Sequence, residues 1–416
     1  MKRNILTIIL LTIVVDFFYF DVTFRFFPIA NTKMLLAVFG IIAFIYNGIQ
    51  EHKVHISKRV LISGILALVF SLWCYFAIVM NGSYEMEFVS YFVSFATWLG
   101  GAYGVYSILK NSHREVNLTV LTFYLATVCA SQCIIALLID NISVIRNAVN
   151  SVFLLTTEFY ERGDRLYGIG CALDPAGVRF SAVQVLIAHQ LANEDTVRKS
   201  GKKSLFLIVS FLIITVIGSM ISRTTIVGTS LGLALILFNN LRLKRGGIIS
   251  KVQVNASLLL FFLIGGATII SVILYNTNTS FHDDLRFGFE GFFNWVETGE
   301  FRTGSTDHLQ TMWVWPTTRR GWIIGEGRVG VFQTNSDIGY CNYILYCGLI
   351  GMAIYSIYYI YNHLSLISKF RNFTITAFLL VAITFIVWTK VTTDIFLVDA
   401  LLFCIDGDFD EVPQEE

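Results

Sequence analysis

The sequence predicts an all-α, polytopic integral membrane protein, and two observations support this fold class. Of the 416 residues, 55% are hydrophobic and only 14% are charged, and the mean hydropathy is +0.67. A soluble chain of this length carries far more charge. Apolar runs long enough for a membrane helix recur from end to end, and none shows the alternation typical of barrel strands. A helical bundle follows, because it satisfies the backbone inside a bilayer.

About twelve segments are long and apolar enough to be membrane spans, since one crossing needs about 20 residues. The predicted spans are 5–21, 33–50, 60–80, 86–108, 117–139, 177–192, 204–220, 223–239, 256–275, 337–361, 373–389 and 391–406. The first span follows a basic start and resembles a signal peptide, but no small-residue cleavage site follows it. We therefore predict that it is retained as an uncleaved span.

The connections between these spans indicate an orientation. Short basic segments such as 50–59 and 239–247 fall at every second connection, which the positive-inside rule assigns to the cytoplasm. Both termini are then cytoplasmic, and 1–416 forms one transmembrane domain. Two longer connections face outward, a first outer loop over 141–176 and a large outer loop over 276–336. The second is too long to be a simple connector.

Lysine and arginine are predicted to separate across the membrane, with lysine mostly in the cytoplasmic connections. The outer arginines include Arg165, Arg179, Arg223 and Arg328. A guanidinium presents a planar fork of donors that matches phosphate oxygens, so the outer face is predicted to hold an anion. Alternatively, the outer arginines pair with lipid headgroups or with nearby acidic side chains. Those acidic residues are Asp283, Asp284, Glu290 and Glu297.

Arg223 interrupts the most apolar part of the sequence, 204–238. A charge near the centre of one membrane helix costs roughly 3 kcal/mol or more. The segment is much longer than one crossing, so we predict two helices that meet at 218–222, with Arg223 at the outer surface. Ser222 and Thr224 can cap the second helix, whose positive end then faces that surface. A charged hairpin that only anchors the turn is the alternative.

A second candidate anion site lies in the segment 165–182, RLYGIGCALDPAGVRFSA. Its glycines and Pro175 predict a tight non-helical approach to the membrane. Gly177 is predicted to open the next helix, with Arg179 on its first turn. Two helix starts and two arginines at one surface would favour a multiply charged anion such as a pyrophosphate. An ordinary loop and helix cap is the alternative.

The large outer loop and the start of the next span are rich in aromatic residues. They include Trp295, Trp313, Trp315, Trp322 and Tyr340. Aromatic faces stack on the CH faces of sugars, and they also rest at lipid interfaces. Both interpretations remain open from the sequence.

Asp337 and His308 are candidate proton acceptors. Asp337 lies at the predicted start of a span, where a carboxylate is either a helix cap or a general base. His308 is the only histidine in the later half of the outer loop, and it can equally be a solvated loop residue. Lys390 and Asp394 are four residues apart, so we predict that they share one helix face, neutralise each other and support the cavity.

The sequence carries no recognisable metal or cofactor motif. Its seven cysteines form neither a CxxC pair nor a disulfide framework. No Walker loop, Rossmann fingerprint, HExxH or GxSxG is present. The net charge of +1 implies nothing about nucleic acid, and the expected partner is the lipid bilayer.

Three segments carry a resemblance: RLYG…DPAGVRFS, SRTTIVG, and GEG…TNSDIGYCNYILYCGLIGM. With the large late outer loop, they resemble bacterial O-antigen or capsule repeat-unit polymerases of the Wzy type, in the wider family that includes O-antigen ligases. Ligases usually carry a His-Asn pair ahead of the late helix. The corresponding residues here are Thr334, Asn335, Ser336 and Asp337. This departure favours a polymerase and leaves the identity of the base open.

The resemblance implies a GT-C-like fold and a glycosyltransferase that needs no metal or cofactor. Its implied substrates are oligosaccharide repeat units on undecaprenyl pyrophosphate, polymerised at the outer leaflet of the bacterial cytoplasmic membrane for lipopolysaccharide O-antigen or capsule. A chain-length regulator and a flippase are implied protein partners. The alternatives are an O-antigen ligase or related lipid-linked-oligosaccharide transferase, and a polysaccharide flippase or transporter. We find no internal repeat typical of transporters.

Under the polymerase hypothesis each candidate residue has an expected role. The donor pyrophosphate would be held by Arg165, Arg179, Arg223 and Arg328. Asp337, or failing that His308, would take the proton from the acceptor hydroxyl. The sugars would contact Trp313, Trp315, Trp322 and Tyr340.

Overall fold

The protein is mainly helical in the part of the chain that its computed structural model describes. The described residues are 5–53, 56–154, 165–245, 269 and 271–405. The structure is about 76% helical. Its strands in those residues are β1 (Thr23–Phe24) and β2 (Phe27–Asn31), which pair antiparallel. The all-α prediction is confirmed.

The helices vary from single turns to long membrane-length rods. In chain order they are α1 (Ile5–Tyr19), α2 (Thr32–Glu51), α3 (Lys58–Asn81), α4 (Tyr91–Ser112), α5 (Leu118–Asn141), α6 (Ser143–Val152), α7 (Leu173–Asn193), α8 (Asp195–Arg198), α9 (Gly201–Ile221), α10 (Thr225–Arg245), α11 (Thr279–Gly288), α12 (Glu290–Thr298), α13 (Gly304–Gln310), α14 (Arg319–Ile324), α15 (Val331–Thr334), α16 (Gly339–Ser365), α17 (Thr374–Val387) and α18 (Phe396–Cys404). A 3₁₀ turn, Leu366–Ser368, follows α16. Residues 271–277 are also helical.

The chain forms two compact units. Unit 1 comprises Met1–Thr32 and Asn117–Arg302, and unit 2 comprises Lys33–Val116 and Thr303–Glu416. In unit 1, α7 packs against α5, α9 and α10. In unit 2, α16 packs against α3, α14 and α17, and α18 packs against α4.

Six helices among the described residues are long and apolar enough to cross a membrane. They are Thr32–Glu51, Lys58–Asn81, Tyr91–Ser112, Leu118–Asn141, Gly201–Ile221 and Gly339–Ser368. Three shorter apolar helices are Ile5–Tyr19, Thr225–Phe238 and Thr374–Val387. The protein is therefore a helical membrane protein, with fewer clear spans than the twelve expected.

Three of the expected spans differ from the structure for separate reasons. The predicted span 256–275 lies largely outside the described residues. The span 177–192 falls in α7, which is 21 residues long. This helix has buried polar side chains, and one of them, Gln184, donates hydrogen bonds to α9 and α10 rather than facing lipid. The span 391–406 contains only the nine-residue helix α18.

The break near Arg223 is confirmed. Helix α9 ends at Ile221 and α10 begins at Thr225, so the apolar segment is two helices. The Ser222 amide still bonds to the Gly218 carbonyl at 2.8 Å, which closes the last turn of α9. Arg223 therefore lies in the connection between two apolar helices, not inside one.

Two local predictions are wrong. Helix α7 begins at Leu173 rather than Gly177, so Arg179 lies on its second turn. Pro175 lies in the first turn, where a residue without an amide proton costs no hydrogen bond within the helix. Lys390 and Asp394 do not share a helix face, because no helix is present between Val387 and Phe396. Asp394 instead accepts bonds from the Phe396 amide and the Tyr355 hydroxyl.

Candidate functional site

Two arginines predicted from the sequence meet on one aromatic ring in unit 1. The guanidinium carbon of Arg223 lies 4.0 Å from the ring centroid of Phe287, and that of Arg165 lies 4.9 Å from the same centroid. Arg223 also donates from Nε to the Phe287 carbonyl at 2.8 Å and pairs with Glu290 at 2.5 Å. We call Arg165, Arg223, Phe287 and Glu290 the arginine site.

The arginine site is partly buried. The side chains of Arg223 and Glu290 are 16% and 26% exposed, respectively. Charges at such depth interact more strongly than at a fully hydrated surface. The pairing of an arginine with a nearby acid, the alternative considered from the sequence, is therefore observed for Arg223 and Glu290. It is also observed for Arg286, which pairs with Glu297 at 2.6 Å.

The connection between α9 and α10 is fixed against the start of α7. Ser222 and Thr224 donate from their hydroxyls to the Asp174 carboxylate at 3.1 and 2.7 Å. A Cβ on Gly177 would lie 2.5 Å from the Ser222 Oγ, so the approach requires glycine there. The two helix starts do converge as predicted, but a carboxylate of the chain, Asp174, lies between them.

Arg165 begins the non-helical approach that the glycines predicted. Gly170 has a φ of 68°, and a Cβ there would meet the Phe20 carbonyl oxygen at 2.8 Å. The Ile169 amide bonds to the Gln132 side chain at 2.9 Å. These contacts hold the segment against α1 and α5, and so position Arg165.

Arg179 has different partners from the other two arginines. Its guanidinium donates to the Tyr19 carbonyl at 2.5 Å and pairs with Asp21 at 3.2 Å. The Tyr19 hydroxyl donates back to the Arg179 carbonyl at 2.8 Å. These contacts connect α1 with α7, so Arg179 has a clear structural role.

An apolar cavity of about 640 Å³ lies among α9, α10, α11, α12 and residues 271–277. Its lining includes Phe211, Leu233, Tyr275, Leu285, Phe289 and Phe292. Leu285 and Phe289 flank Phe287 in sequence, and Glu290 follows directly. The cavity wall is thus continuous along the chain with the arginine site.

Asp284 is a titratable group that the sequence analysis named only as a possible partner for arginine. Partial burial, together with the nearby charges of Asp140 and Asp283, raises the pKa of Asp284 from 3.8 to about 7. A carboxyl that titrates near neutral pH can act as a general acid or base. It lies on α11, three residues before Phe287.

In unit 2, the three tryptophans predicted to contact sugars lie in a row. The ring centroids of Trp313 and Trp315 are 5.5 Å apart, and those of Trp315 and Trp322 are 5.6 Å apart with an interplanar angle of 21°. Trp313 and Trp315 are 45% and 38% exposed. We call these three residues the tryptophan row. Its exposed faces are suited to stacking on a sugar.

The other predicted residues of unit 2 have local environments of their own, and Tyr340 packs in a cluster with Met312 and Val314, the neighbours of Trp313. Tyr340 is half-buried and donates to the Phe385 carbonyl at 2.9 Å. Arg328 pairs with Glu326, two residues before it in sequence. Asp337 and His308 are both exposed. Asp337 does not cap α16, because the residue at the cap position is Ile338.

Phe287 and Asp174 are the functional candidates that sequence reasoning missed. Phe287 belongs to the run RFGFEGFF, 286–293, in which aromatic and charged residues alternate. That pattern could have indicated arginine–aromatic contacts. Asp174 precedes Pro175 at a helix start, which is a typical position for an acidic side chain.

The described residues contain no group of three or more His, Cys, Asp or Glu side chains placed to hold a metal ion. All seven cysteines are free and buried.

Comparison with known proteins gives no match of any kind: no family model, no curated protein and no solved structure matches the chain.

Proposed function

We propose that the protein is a glycosyltransferase that polymerises undecaprenyl-pyrophosphate-linked oligosaccharide repeat units at the outer leaflet of the cytoplasmic membrane, for O-antigen or capsule. The observation that carries the proposal is the pair of guanidiniums on Phe287 beside an apolar cavity. Such a site suits an amphiphile with an anionic head and a hydrocarbon tail. The sequence resemblance to repeat-unit polymerases supplies the substrate class.

The cavity has the size expected for the first part of a hydrocarbon chain. Its volume of about 640 Å³ is within the range of about 300–1,000 Å³ for small-molecule sites. On α9 the cavity wall consists of Phe211, Leu212, Thr215 and Val216, and three of these four side chains are apolar. In this proposal the lipid tail lies in the cavity and the pyrophosphate lies at the arginine site.

Glu290 occupies the position that a phosphate would take on Arg223. A phosphate oxygen can replace the carboxylate because it matches the same donors of the guanidinium, and it carries more charge. During transfer the leaving pyrophosphate gains negative charge as the sugar C1–O bond breaks. Fixed cations in a partly buried site stabilise that charge more in the transition state than in the ground state.

The tryptophan row is proposed to bind the oligosaccharide. Two of its members are substantially exposed, as a stacking surface requires. Asp337 and His308 remain the proposed proton acceptors, since both are exposed. Asp284 is added to them as an acid or base that titrates near neutral pH. We propose a GT-C-like bundle of about twelve crossings for the complete fold.

The experiment is a test of polymer length in living cells. Arg223→Lys keeps the charge but loses the planar fork. Arg286→Lys is the matched control, because Arg286 also pairs with a glutamate and lies over a phenylalanine ring, at 5.5 Å from Phe293. We expect Arg223→Lys to lose long-chain polysaccharide and Arg286→Lys to retain it. Normal polymer in Arg223→Lys cells with inserted protein would overturn the proposal.

The phenotype of a deletion strain distinguishes a polymerase from a ligase. Loss of a polymerase leaves single repeat units on the lipid acceptor, whereas loss of a ligase leaves free lipid-linked polymer. Only the first outcome supports polymerisation.

Transport is a second candidate, because unit 2 buries ionisable residues inside its helices. His363 and Asp399 are both 0% exposed and lie 2.8 Å apart. Ionisable side chains inside membrane bundles often mark transport or proton pathways. Repeat units accumulating on the cytoplasmic leaflet of a deletion strain would favour a flippase.

A further inference from the structure

A fully buried polar pair lies among α16, α17 and α18 of unit 2. The His363 Nδ1 is 2.8 Å from the Asp399 Oδ1, and the His363 Nε2 is 3.2 Å from the Thr384 Oγ1. Both His363 and Asp399 are 0% exposed. The residues of this pair are not among those of the arginine site.

The hydrogen bonds show where one of the histidine protons lies. Thr384 donates from its hydroxyl to the Leu380 carbonyl at 3.2 Å, as threonine often does within a helix. When the Thr384 hydroxyl donates there, its oxygen accepts from His363 Nε2, which then carries a proton. The bond between Nδ1 and Asp399 contains a second proton, which can reside on either partner.

The surroundings of the pair include polar atoms without partners among the described residues. They include the buried Asp399 Oδ2, and the buried Tyr358 hydroxyl lies near Tyr91 and Asn362. Tyr358 interacts electrostatically with both Asp394 and Asp399. Apolar side chains of similar size would avoid the cost of burying these groups, so their presence indicates a role other than packing.

A chain of tyrosine hydroxyls runs from Asp394 toward the pair and reaches Tyr359, whose ring centroid lies 6.1 Å from that of His363. The Tyr91 and Tyr359 hydroxyls are 2.5 Å apart, and the Tyr359 and Tyr355 hydroxyls are 3.2 Å apart. Tyr355 donates to the Asp394 Oδ2 at 3.4 Å. Asp394 is partly exposed, and Tyr359 lies one helical turn before His363. Each hydroxyl can donate one proton and accept another, as a relay requires.

We propose that the His363–Asp399 pair is a buried proton-binding site that exchanges its proton with Asp394 along the hydroxyls of Tyr355 and Tyr359, with a water molecule carrying the proton between Tyr359 and the pair. Release moves one proton from the pair to Asp394 while each hydroxyl gives up one proton and gains another, so the pair becomes one unit more negative and Asp394 one unit less negative until it passes the proton to water. The reverse sequence restores it. No oxidant, metal or other reactant is required.

The other titratable and charged groups around the pair come from four elements. Helix α16 contributes Tyr355, Tyr358 and Tyr359, and α4 contributes Tyr91. The segment after α17 contains Lys390 and Asp394. Lys369 follows the 3₁₀ turn, and its ammonium donates to the Phe403 carbonyl of α18 at 3.0 Å. Within the part of the chain that the structure describes, Asp394 is the carboxylate that acts electrostatically on Asp399. It is therefore the natural partner for proton exchange with Asp399.

The experiment uses the full chain in lipid nanodiscs and infrared difference spectroscopy during a pH jump between about pH 5 and about pH 9. Asp399→Asn identifies the carboxyl bands that belong to Asp399. His363→Gln gives a second identification, because it changes the hydrogen bond of the same carboxyl and shifts its band. The rate of the Asp399 band change is then measured in Tyr355→Phe and Tyr359→Phe, which keep the rings and remove the hydroxyls.

The matched control is Tyr103→Phe, which removes another partly buried hydroxyl that bonds to Asn47 at 3.0 Å, outside the chain. Positioned side chains speed proton transfer by roughly 10²–10⁴-fold, so loss of one relay hydroxyl should slow the band change by about tenfold or more. The control should match the wild type. An Asp399 band that does not change with pH would overturn the proton site. Equal rates in all three tyrosine variants would overturn the relay.

Discussion

Two apolar helical segments of this protein are interrupted, and they are interrupted in opposite ways. In unit 1 a charged residue, Arg223, lies between α9 and α10. In unit 2 a glycine, Gly348, breaks the helical conformation inside α16, with a φ of 69° and a ψ of −177°. The first break brings side-chain charge to a site. The second releases backbone groups that other segments bind.

The carbonyls released near Gly348 are all occupied. The amides of Glu326 and Gly327 bond to the carbonyls of residues 345 and 346 at 2.7 and 3.1 Å. The Trp73 indole donates to the Cys347 carbonyl at 2.8 Å. The kink therefore anchors the segment that directly follows α14. Trp322 of the tryptophan row lies on α14.

The difference teaches which interruptions a sequence reveals. A charge in an apolar run is unfavourable inside lipid, so Arg223 predicted its break directly. A glycine in an apolar helix is common in membrane proteins, and Gly348 therefore gave no signal. Four predictions test this comparison.

The largest effect is expected at Gly348. Its Cβ in Gly348→Ala would lie 2.3 Å from the Ile323 carbonyl oxygen, and its φ is unfavourable for alanine. We expect a loss of about 3 kcal/mol or more in the free energy of unfolding, measured by denaturation in detergent. Gly82→Ala is the control: its φ is 62°, but nothing lies within 4 Å, so only about 1 kcal/mol should be lost. Equal losses would contradict the account of the kink.

The second effect concerns the ion pair at the other break. Arg223→Ala leaves the partly buried Glu290 without its guanidinium, which should lower the free energy of unfolding by about 1–3 kcal/mol. Glu290→Gln in the same chain should recover part of that loss. A double-mutant cycle measures the coupling between the two. Additive effects would show that the pair contributes nothing beyond its separate residues.

The third effect separates the aromatic contact from the ion pair. Phe287→Leu keeps an apolar side chain but removes the ring that both Arg165 and Arg223 contact. We expect a loss of about 1–2 kcal/mol, at about 0.5–1 kcal/mol for each arginine. Phe292→Leu, in the cavity wall, controls for the loss of aromatic volume. If both variants lose the same stability, the arginine contacts with Phe287 are not stabilising.

The smallest effect is a pH dependence from Asp284. Its pKa is raised to about 7 in the folded chain, so the folded state binds the proton more tightly than the unfolded state. Its contribution to stability is present below about pH 4 and is lost as the pH rises through about 7. Asp284→Asn should therefore flatten the fall in melting temperature over this range. Asp283→Asn, at a more exposed carboxylate, should flatten it less, and the reverse order would contradict the assignment.

Sequence reasoning found individual charged and aromatic residues but not their long-range partners. The helix break at Arg223 followed from local composition, and the tryptophan row came from residues close in sequence. The partner of Arg179 is Asp21, 158 positions away, and no local pattern reveals such a pair. The same holds for His363 and Asp399, which are 36 positions apart. Side-chain pairing across a bundle depends on helix packing, which composition does not determine.

The start of α7 shows a second limit of structure prediction from sequence. Gly177 suggested a helix opening because glycine often lies at helix ends. The structure uses Gly177 for close packing against Ser222, and the helix begins four residues earlier. A glycine required by a neighbouring segment looks the same in sequence as one required by a turn.

The most direct test of the central claim is lipid binding to the purified full chain in nanodiscs. The ligands are a polyprenyl pyrophosphate, the polyprenol of the same length, and inorganic pyrophosphate. Charge-assisted hydrogen bonds contribute about 1.5–3 kcal/mol each, so the polyprenyl pyrophosphate should bind at least about tenfold more tightly than either alone. Arg223→Lys should lose that preference, and Arg286→Lys should keep it. Equal binding of the polyprenol and its pyrophosphate to the wild type would contradict the claim.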